Sequence, residues 1–157
     1  MSETANKILF CTDFSQNALQ SFSYAIRATK EIPDAQLVLF HTMPEPDAQF
    51  WKGYILDSDD AIAEMKQKIH EKIDAEYRPL LPPDCPMEVV LTTGDAPEEI
   101  LHYANRENVR MIVLGRQGSG MISQWLMGNV TARVVRKANC PVLVVPFSFI
   151  EKQKQAK

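Results

Sequence analysis

Cysteine is scarce in this chain, and its few residues are widely spaced. The three cysteines, Cys11, Cys85 and Cys140, are odd in number and form no C-x-x-C pair. This spacing excludes a disulfide framework and a zinc ribbon, because both need paired cysteines at short intervals. Cys11 and Cys140 lie in apolar runs, where we expect them to act as small buried hydrophobic residues.

The chain also lacks a block of basic residues, and its formal net charge is -3. Nucleic-acid binding is therefore not expected, because the phosphate backbone calls for clustered lysine and arginine side chains. No apolar run is long enough to cross a membrane, and no hydrophobic signal-peptide segment precedes the strand-like sequence that begins at Lys7. We accordingly expect a cytoplasmic protein without a membrane partner.

A chain of 157 residues, 45% of them hydrophobic, is long enough to bury one core without disulfides or metals. The sequence contains no internal repeat, low-complexity segment or linker, which predicts a single domain over residues 1–157 with its core at about 7–146. The basic end of the chain, interrupted by Glu151, predicts a flexible, solvated tail over residues 148–157.

Short apolar runs alternate with segments of helical periodicity. Five runs are predicted to be strands: 7–12, 37–40, 87–91, 111–114 and 141–145. The first is short and apolar, which is typical of a strand buried on both faces. Between them, Ser15 can cap a helix, and an amphipathic stretch begins at Asp57. Asp95 and Glu98 have capping-box spacing, and Val130 begins the apolar face of a last helix. This order predicts an α/β fold, a single five-stranded parallel sheet with helices on both faces.

The polar residues that follow these strands predict a ligand site. In open parallel sheets, ligands bind beyond the carboxyl ends of the strands, where the strand order reverses. A reversal beside strand 1 would bring the loops after strands 1 and 4 together, and those loops carry Asp13 and Gly115. Thr12 and Thr42 fall on the same rim. Asp13 has a simpler alternative, in which it only ends strand 1 or caps the first helix.

The loop after strand 4 has glycines at the spacing G-x2-G-x9-G. They are Gly115, Gly118 and Gly128, and Asn129 follows them. Glycine allows main-chain amides to approach an anion closely, and the free amides of a helix start attract negative charge. Asn129 and Thr131 add side-chain donors. This pattern predicts phosphate binding, and its alternative is that the glycines serve only as turn residues.

Other phosphate-binding motifs are absent from the sequence. No G-x-x-x-x-G-K-[ST] segment supplies a P-loop lysine, and the first strand–helix turn lacks the G-x-G-x-x-G of dinucleotide-binding proteins. The acidic residue after strand 1 has no acidic neighbour and no late-strand lysine, which argues against a phospho-accepting receiver domain. The three histidines, His41, His70 and His102, lack metal-ligand spacing.

At these residues the chain resembles the universal stress protein family. That family's hallmark is G-x2-G-x9-G-[ST], followed by a helix and a strand such as C-P-V-L-V-V. The chain matches the three glycines and has C-P-V-L-V-V at 140–145. The opening I-L-F-C-T-D-F-S at 8–15 and His41-Thr42 at the end of strand 2 are also similar. The resemblance implies strand order 3-2-1-4-5 in a flavodoxin-like or Rossmann-like fold of the adenine nucleotide alpha hydrolase type.

The resemblance also implies an adenine nucleotide ligand, ATP or AMP, and a homodimer joined through the last strand, Val142 to Val145. Carried over by position, Asp13 would meet the ribose, Thr12 the adenosine side and Thr42 the adenine. The phosphates would be held by the glycine motif and the helix start, namely Gly115, Gly118, Gly128, Asn129, Val130 and Thr131. Arg116 would either clamp a phosphate or be a solvated loop residue.

Asn129 departs from the family pattern, which has serine or threonine after the third glycine. Losing a hydrogen bond to a charged group weakens binding roughly 10–150-fold. The amide of Asn129 can still donate to a phosphate, so we expect a weakening at most. Asn129 can equally be the N-cap of the last helix. A magnesium ion bound through this position is less expected than the nucleotide itself.

Three functions are compatible with the sequence. The first is an ATP-binding regulatory protein of stress adaptation, a role that rests on the resemblance alone. The second is a dimeric interaction module of the same fold without a nucleotide. The third, a slow ATP hydrolase, ranks last because the loop has no convincing general base or nucleophile nearby, so weak ATPase activity is the most we expect.

Overall fold

A computed structural model of the protein describes residues 6–43, 58–116 and 129–156. The strands in these ranges are β1 (Asn6–Cys11), β2 (Ala35–Met43), β3 (Met87–Thr93), β4 (Met111–Arg116) and β5 (Val142–Pro146). The helices are α1 (Gln16–Glu31), α2 (Ser58–Glu76), α3 (Ala96–Arg106), α4 (Asn129–Lys137) and α5 (Phe147–Gln155). None of these helices combines the length and apolarity that crossing a lipid bilayer requires.

The strands form one parallel sheet in the order β3-β2-β1-β4-β5. β1 lies at the centre, where Cys11 pairs with Phe40 of β2 on one side and with Leu114 of β4 on the other. The α/β class, the parallel pairing and the strand order confirm the prediction from the sequence. The order reverses beside β1, so the segments that leave β1 and β4 emerge side by side at the carboxyl edge of the sheet.

Helices cover both faces of the sheet. Successive residues of β1 point to opposite faces, so Ile8 and Phe10 enter one apolar layer and Leu9 and Cys11 enter the other. The first layer includes residues of α1, α2 and α5, and the second includes residues of α3 and α4. Because both faces are buried, β1 is a continuous apolar run. Burial also raises the pKa of the Cys11 thiol, so Cys11 is the small core residue that we expected.

Two helices begin at the capping residues that the sequence indicates. The Ser15 side chain accepts a hydrogen bond from the Ala18 amide at 3.1 Å. The Asp95 side chain accepts one from the Glu98 amide at 3.3 Å. Each cap satisfies an amide that helix geometry leaves unpaired. Arg133 of α4 forms a salt bridge to Asp95 at 3.1 Å, which also ties the start of α3 to α4.

The carboxyl end of the chain differs from its prediction. Where the sequence predicted a flexible tail over 148–157, the structure has α5, which begins directly after Pro146. Ile150 is buried in the layer that contains α1, and the ring of Phe149 lies 6.0 Å from the ring of Tyr24 on α1. The apolar residues that precede the lysines therefore give this segment a packing surface, which the basic composition alone does not reveal.

Candidate functional site

The ends of β1 and β4 bring most of the predicted site residues to one edge of the sheet. Cys11 pairs with Leu114, so Thr12 and Asp13 leave β1 beside the last residues of β4, Gly115 and Arg116. The start of α4 reaches the same place, because the Thr131 hydroxyl lies 3.5 Å from the Gly115 carbonyl oxygen, to which it donates. We call this set, Thr12, Asp13, Gly115, Arg116 and Asn129–Thr131, the β1–β4 rim.

Thr12 is only 6% exposed, and its polar groups are engaged inside the fold. Its amide donates to the Phe40 carbonyl at 3.0 Å, and its carbonyl lies 2.8 Å from His41 Nδ1. Its hydroxyl oxygen accepts from the Phe14 amide at 2.9 Å and is 2.6 Å from the Tyr77 hydroxyl. Thr12 therefore shapes the turn after β1 from beneath, and its hydroxyl is engaged by Phe14 and Tyr77 within the fold.

The turn after β1 presents Asp13 to solvent. Asp13 Oδ1 accepts a hydrogen bond from the Ser15 amide at 2.9 Å, an arrangement that aspartate commonly adopts in turns. The second carboxylate oxygen has no hydrogen bond to any described residue, so it can accept from a ligand hydroxyl. Phe14 has φ of 63°, a left-handed conformation that is uncommon for a bulky residue and is held here by the hydrogen bond to Thr12.

Gly115 lies against the start of α1. A Cβ atom at this position would come within 2.8 Å of Ser21 Oγ, 3.0 Å of Asn17 Nδ2 and 3.2 Å of the Asn17 carbonyl oxygen. Ser21 Oγ cannot move away easily, because it donates to that carbonyl at 2.6 Å inside the buried interface. Packing alone therefore explains why glycine occupies this position.

Asn17 is a polar residue at this edge that sequence reasoning missed. Its side chain is 5% exposed, and its Oδ1 atom is buried without a hydrogen-bond partner within the described residues. Asn17 and Ser21 are one helical turn apart on a face that otherwise carries alanine, phenylalanine and isoleucine. Two polar residues at this spacing, on the core face of a helix, were the available sequence signal.

The start of α4 carries the remaining described members of the glycine motif. Asn129 is the first residue of α4 and is exposed, whereas Val130 packs against the core layer of α3. Thr131 is buried, with 5% exposure. Gly118 and Gly128 lie outside the described residues. Of the predicted phosphate ligands in the described ranges, Asn129 is the most accessible.

Thr42 and Arg116 flank β1 from opposite sides. Thr42 lies near the end of β2 and is half-buried, and its hydroxyl oxygen accepts a hydrogen bond from the Thr92 hydroxyl of β3 at 3.1 Å. Its own hydroxyl proton remains available to donate. Arg116 ends β4, is half-buried, and forms no salt bridge within the described ranges. Its positive charge is compatible with an anionic ligand at this edge of the sheet.

Two titratable groups beneath the β1–β4 rim are held neutral. Burial lowers the pKa of His41, although its hydrogen bond to Thr12 and the charge of Asp13 oppose this effect. Burial also raises the pKa of Tyr77 to about 12. Within the described parts of the chain, no three His, Cys, Asp or Glu side chains are grouped so that they could hold a metal ion.

The family model, the sequence relatives and the solved structures all indicate the same protein family. The model described as the universal stress protein family matches residues 4–146. Universal stress protein MJ0577 of Methanocaldococcus jannaschii is 28% identical over a match that covers 92% of this chain and 97% of that protein. A solved structure of MJ0577 has a TM-score of 0.69 at 26% identity, and the match covers 91% of this chain and 96% of that one.

Two other solved structures contain nucleotides. One is a universal stress protein in complex with cAMP, with a TM-score of 0.57 at 20% identity and coverage of 89% of this chain and 95% of that chain. The other is the Archaeoglobus fulgidus protein in complex with dAMP, with a TM-score of 0.59 at 18% identity and coverage of 88% and 95%. At this level of identity the likeness shows a shared fold.

Proposed function

This chain belongs to the universal stress protein family, and from this premise we propose that it binds an adenine nucleotide at the β1–β4 rim and acts as a nucleotide-dependent regulatory protein. ATP and AMP are the candidate ligands. The proposed setting is stress adaptation in the cytoplasm, which is inferred from the family alone.

The observation that carries the proposal is the convergence of three segments at the point where the strand order reverses. The turn that bears Asp13, the end of β4 and the start of α4 meet there, and Thr131 bonds to Gly115. This is the place where open α/β sheets bind ligands. It combines an acceptor for ribose hydroxyls with the free main-chain amides of a helix start, which suit phosphate.

The nucleotides in the cAMP and dAMP complexes support adenine as the base, since both proteins share this fold. In our proposal the free carboxylate oxygen of Asp13 accepts from the ribose, and Thr42 contacts the base. The phosphates bind to the glycine motif and the α4 start, namely Gly115, Gly118, Gly128, Asn129, Val130 and Thr131, with Arg116 as a neighbouring positive charge. Thr12 acts by shaping the turn.

A dimeric interaction module without a nucleotide is the second candidate, and packing at Gly115 favours it. The clash of any Cβ with Ser21 and Asn17 explains this glycine without a phosphate. In either case we propose a homodimer formed through β5, because β5 is an edge strand whose unpaired backbone groups need a cover. Leu143 of β5 is 37% exposed and would be covered in such a pairing.

Thermal unfolding with added ATP, ADP or AMP tests the proposal. A ligand at 100 times its Kd stabilises the fold by about 2.7 kcal/mol. In a domain of this size, that raises the Tm by roughly 5–11 °C. Asp13→Ala, which loses a hydrogen bond to the ribose and should bind roughly 10–150-fold more weakly, is expected to keep only about 0.3–1.4 kcal/mol of this stabilisation. Asp84→Ala, at an exposed position before β3, should retain it in full. No shift with any of the three nucleotides would favour the bare interaction module.

The departure at Asn129 provides a second arm of this experiment. Asn129→Ser restores the hydroxyl that the family pattern has at this position. A missing hydrogen bond to a charged group weakens binding by roughly 10-fold or more, and the Asn129 amide is expected to recover part of that loss. We therefore expect Asn129→Ser to bind the nucleotide up to roughly 10-fold more tightly. Weaker binding by Asn129→Ser would show that the amide itself is the better phosphate ligand here.

A further inference from the structure

His41 occupies a structural position that the proposed site does not use. It lies in β2, one residue beyond the pair Phe40–Cys11, and is therefore opposite the first residue that leaves β1. Its Nδ1 atom is 2.8 Å from the carbonyl oxygen of Thr12. Its ring lies 4.6 Å from the ring of Phe14, so the imidazole extends from β2 against the turn after β1.

The hydrogen bond determines which nitrogen of His41 carries a proton. A carbonyl oxygen only accepts, so Nδ1 must donate to it. Burial lowers the pKa of His41, which keeps the ring neutral with a bare Nε2. The charged and titratable groups around it are Asp13 on the turn, Lys72 of α2, whose Nζ lies 5.4 Å from the Phe14 ring, and the neutral Tyr77.

The bond also determines the direction of the peptide that joins Thr12 to Asp13. A trans peptide is planar, and its N–H points opposite to its carbonyl. With the Thr12 carbonyl directed at His41, the Asp13 amide is directed away from the imidazole. No hydrogen bond between described residues uses the Asp13 amide. The plane of this one peptide therefore controls how both the amide and the carboxylate of Asp13 are presented at the β1–β4 rim.

We propose that His41 is a positioning residue, which holds the Thr12–Asp13 peptide in one orientation and so presents Asp13 to the ligand of the β1–β4 rim. This inference rests on the proposed nucleotide function. The Tyr77 hydroxyl and the Phe14 amide hold the Thr12 side chain, and the sheet holds its amide. His41 is the described group that holds the carbonyl, so its loss frees the peptide plane without unseating Thr12.

Titration calorimetry with AMP and ATP on His41 variants tests this role. Asparagine places Nδ2 at the same position along the side chain as Nδ1 of histidine, so His41→Asn should retain Kd within about 2-fold. His41→Leu keeps bulk but removes the donor, and we expect Kd to rise roughly 3–12-fold, the effect of one neutral hydrogen bond. His102→Leu, at an exposed position of α3, is the matched control and should leave Kd unchanged.

A second measurement separates the failure of this inference from the failure of the proposed function. In amide 1H–15N spectra without nucleotide, His41→Leu should shift the Asp13 resonance, and His41→Asn should leave it near its wild-type position. If wild type binds neither AMP nor ATP, the nucleotide function fails, and this resonance still decides the orientation of the peptide. If His41→Leu does not fold, His41→Gln replaces it, because the amide of glutamine lies one carbon further out than that of asparagine. An unmoved Asp13 resonance, or equal Kd values for the asparagine and leucine variants, would overturn the positioning role.

Discussion

Replacing Gly115 with alanine is the perturbation whose effect follows most directly from the geometry. The added Cβ would lie 2.8 Å from Ser21 Oγ and 3.2 Å from the Asn17 carbonyl oxygen. The first distance is well below van der Waals contact, and the second involves rigid helix backbone. Ser21 Oγ is itself held by a 2.6 Å hydrogen bond to Asn17. Overpacking of this kind costs about 1–3 kcal/mol.

Thermal and urea unfolding measure this cost. At roughly 2–4 °C per kcal/mol for a domain of this size, Gly115→Ala should lower Tm by about 2–12 °C. Adding Ser21→Ala removes the nearest atom of the clash. The double variant should therefore be more stable than the sum of the single effects predicts, by about 1 kcal/mol or more, as is typical of residues in contact.

Ser23→Ala provides the matched control for this cycle. Ser23 is an exposed serine on the same helix, and its hydroxyl donates to the Gln20 carbonyl at 3.3 Å. Combined with Gly115→Ala, it should give additive effects. An unchanged Tm for Gly115→Ala, or equal coupling to Ser21 and Ser23, would refute the packing argument. If the Gly115→Ala, Ser21→Ala double variant also binds AMP normally, then the glycine is needed for packing and not for phosphate.

Three further substitutions have predicted outcomes in unfolding experiments. Tyr77→Phe removes the 2.6 Å contact with Thr12 and should cost about 1 kcal/mol at pH 7. Because burial raises the pKa of Tyr77 to about 12, wild type should lose on the order of 3 kcal/mol as pH rises from about 10 through 12, and Tyr77→Phe should lack this component. Ile150→Ala should cost about 2–5 kcal/mol if α5 packs as described, and a cost near zero would support a flexible tail instead. Burial lowers the pKa of His41, so the folded state binds the proton of this histidine less well than the unfolded state does. The fold should therefore become less stable as pH falls below about 6.5, and His41→Asn should lack that dependence in urea unfolding.

The sheet could be predicted from the sequence because its signals are local. Five apolar runs alternate with amphipathic segments, and Ser15 and Asp95 mark two helix starts that the structure confirms. The strand order came from the resemblance of the glycine motif to a known family. No periodicity specifies which strands are neighbours, since that is decided by packing between distant segments.

The interior of the site could not be predicted, because its contacts join residues that are far apart in the chain. Thr12 meets Tyr77 across 65 positions, and His41 meets Thr12 across 29. The residues next to Tyr77 and His41 in the sequence contain no pattern that indicates such a contact. The sequence assigned Thr12 to the ligand, and this assignment stays a prediction; the contacts of its polar atoms within the fold were not foreseen. The exposed Asp13 beside it has one carboxylate oxygen without a hydrogen bond to any described residue, and its role as a ligand residue stays a prediction.

Native mass spectrometry of the purified protein with added ATP and AMP tests the central claim most directly. The β1–β4 rim is predicted to retain one of these nucleotides as a saturable mass increase that persists in Asp84→Ala and that needs a roughly 10–150-fold higher nucleotide concentration in Asp13→Ala. A spectrum with no nucleotide adduct at saturating concentration, or an adduct that Asp13→Ala retains in full, would contradict the assignment of this edge of the sheet as a nucleotide site.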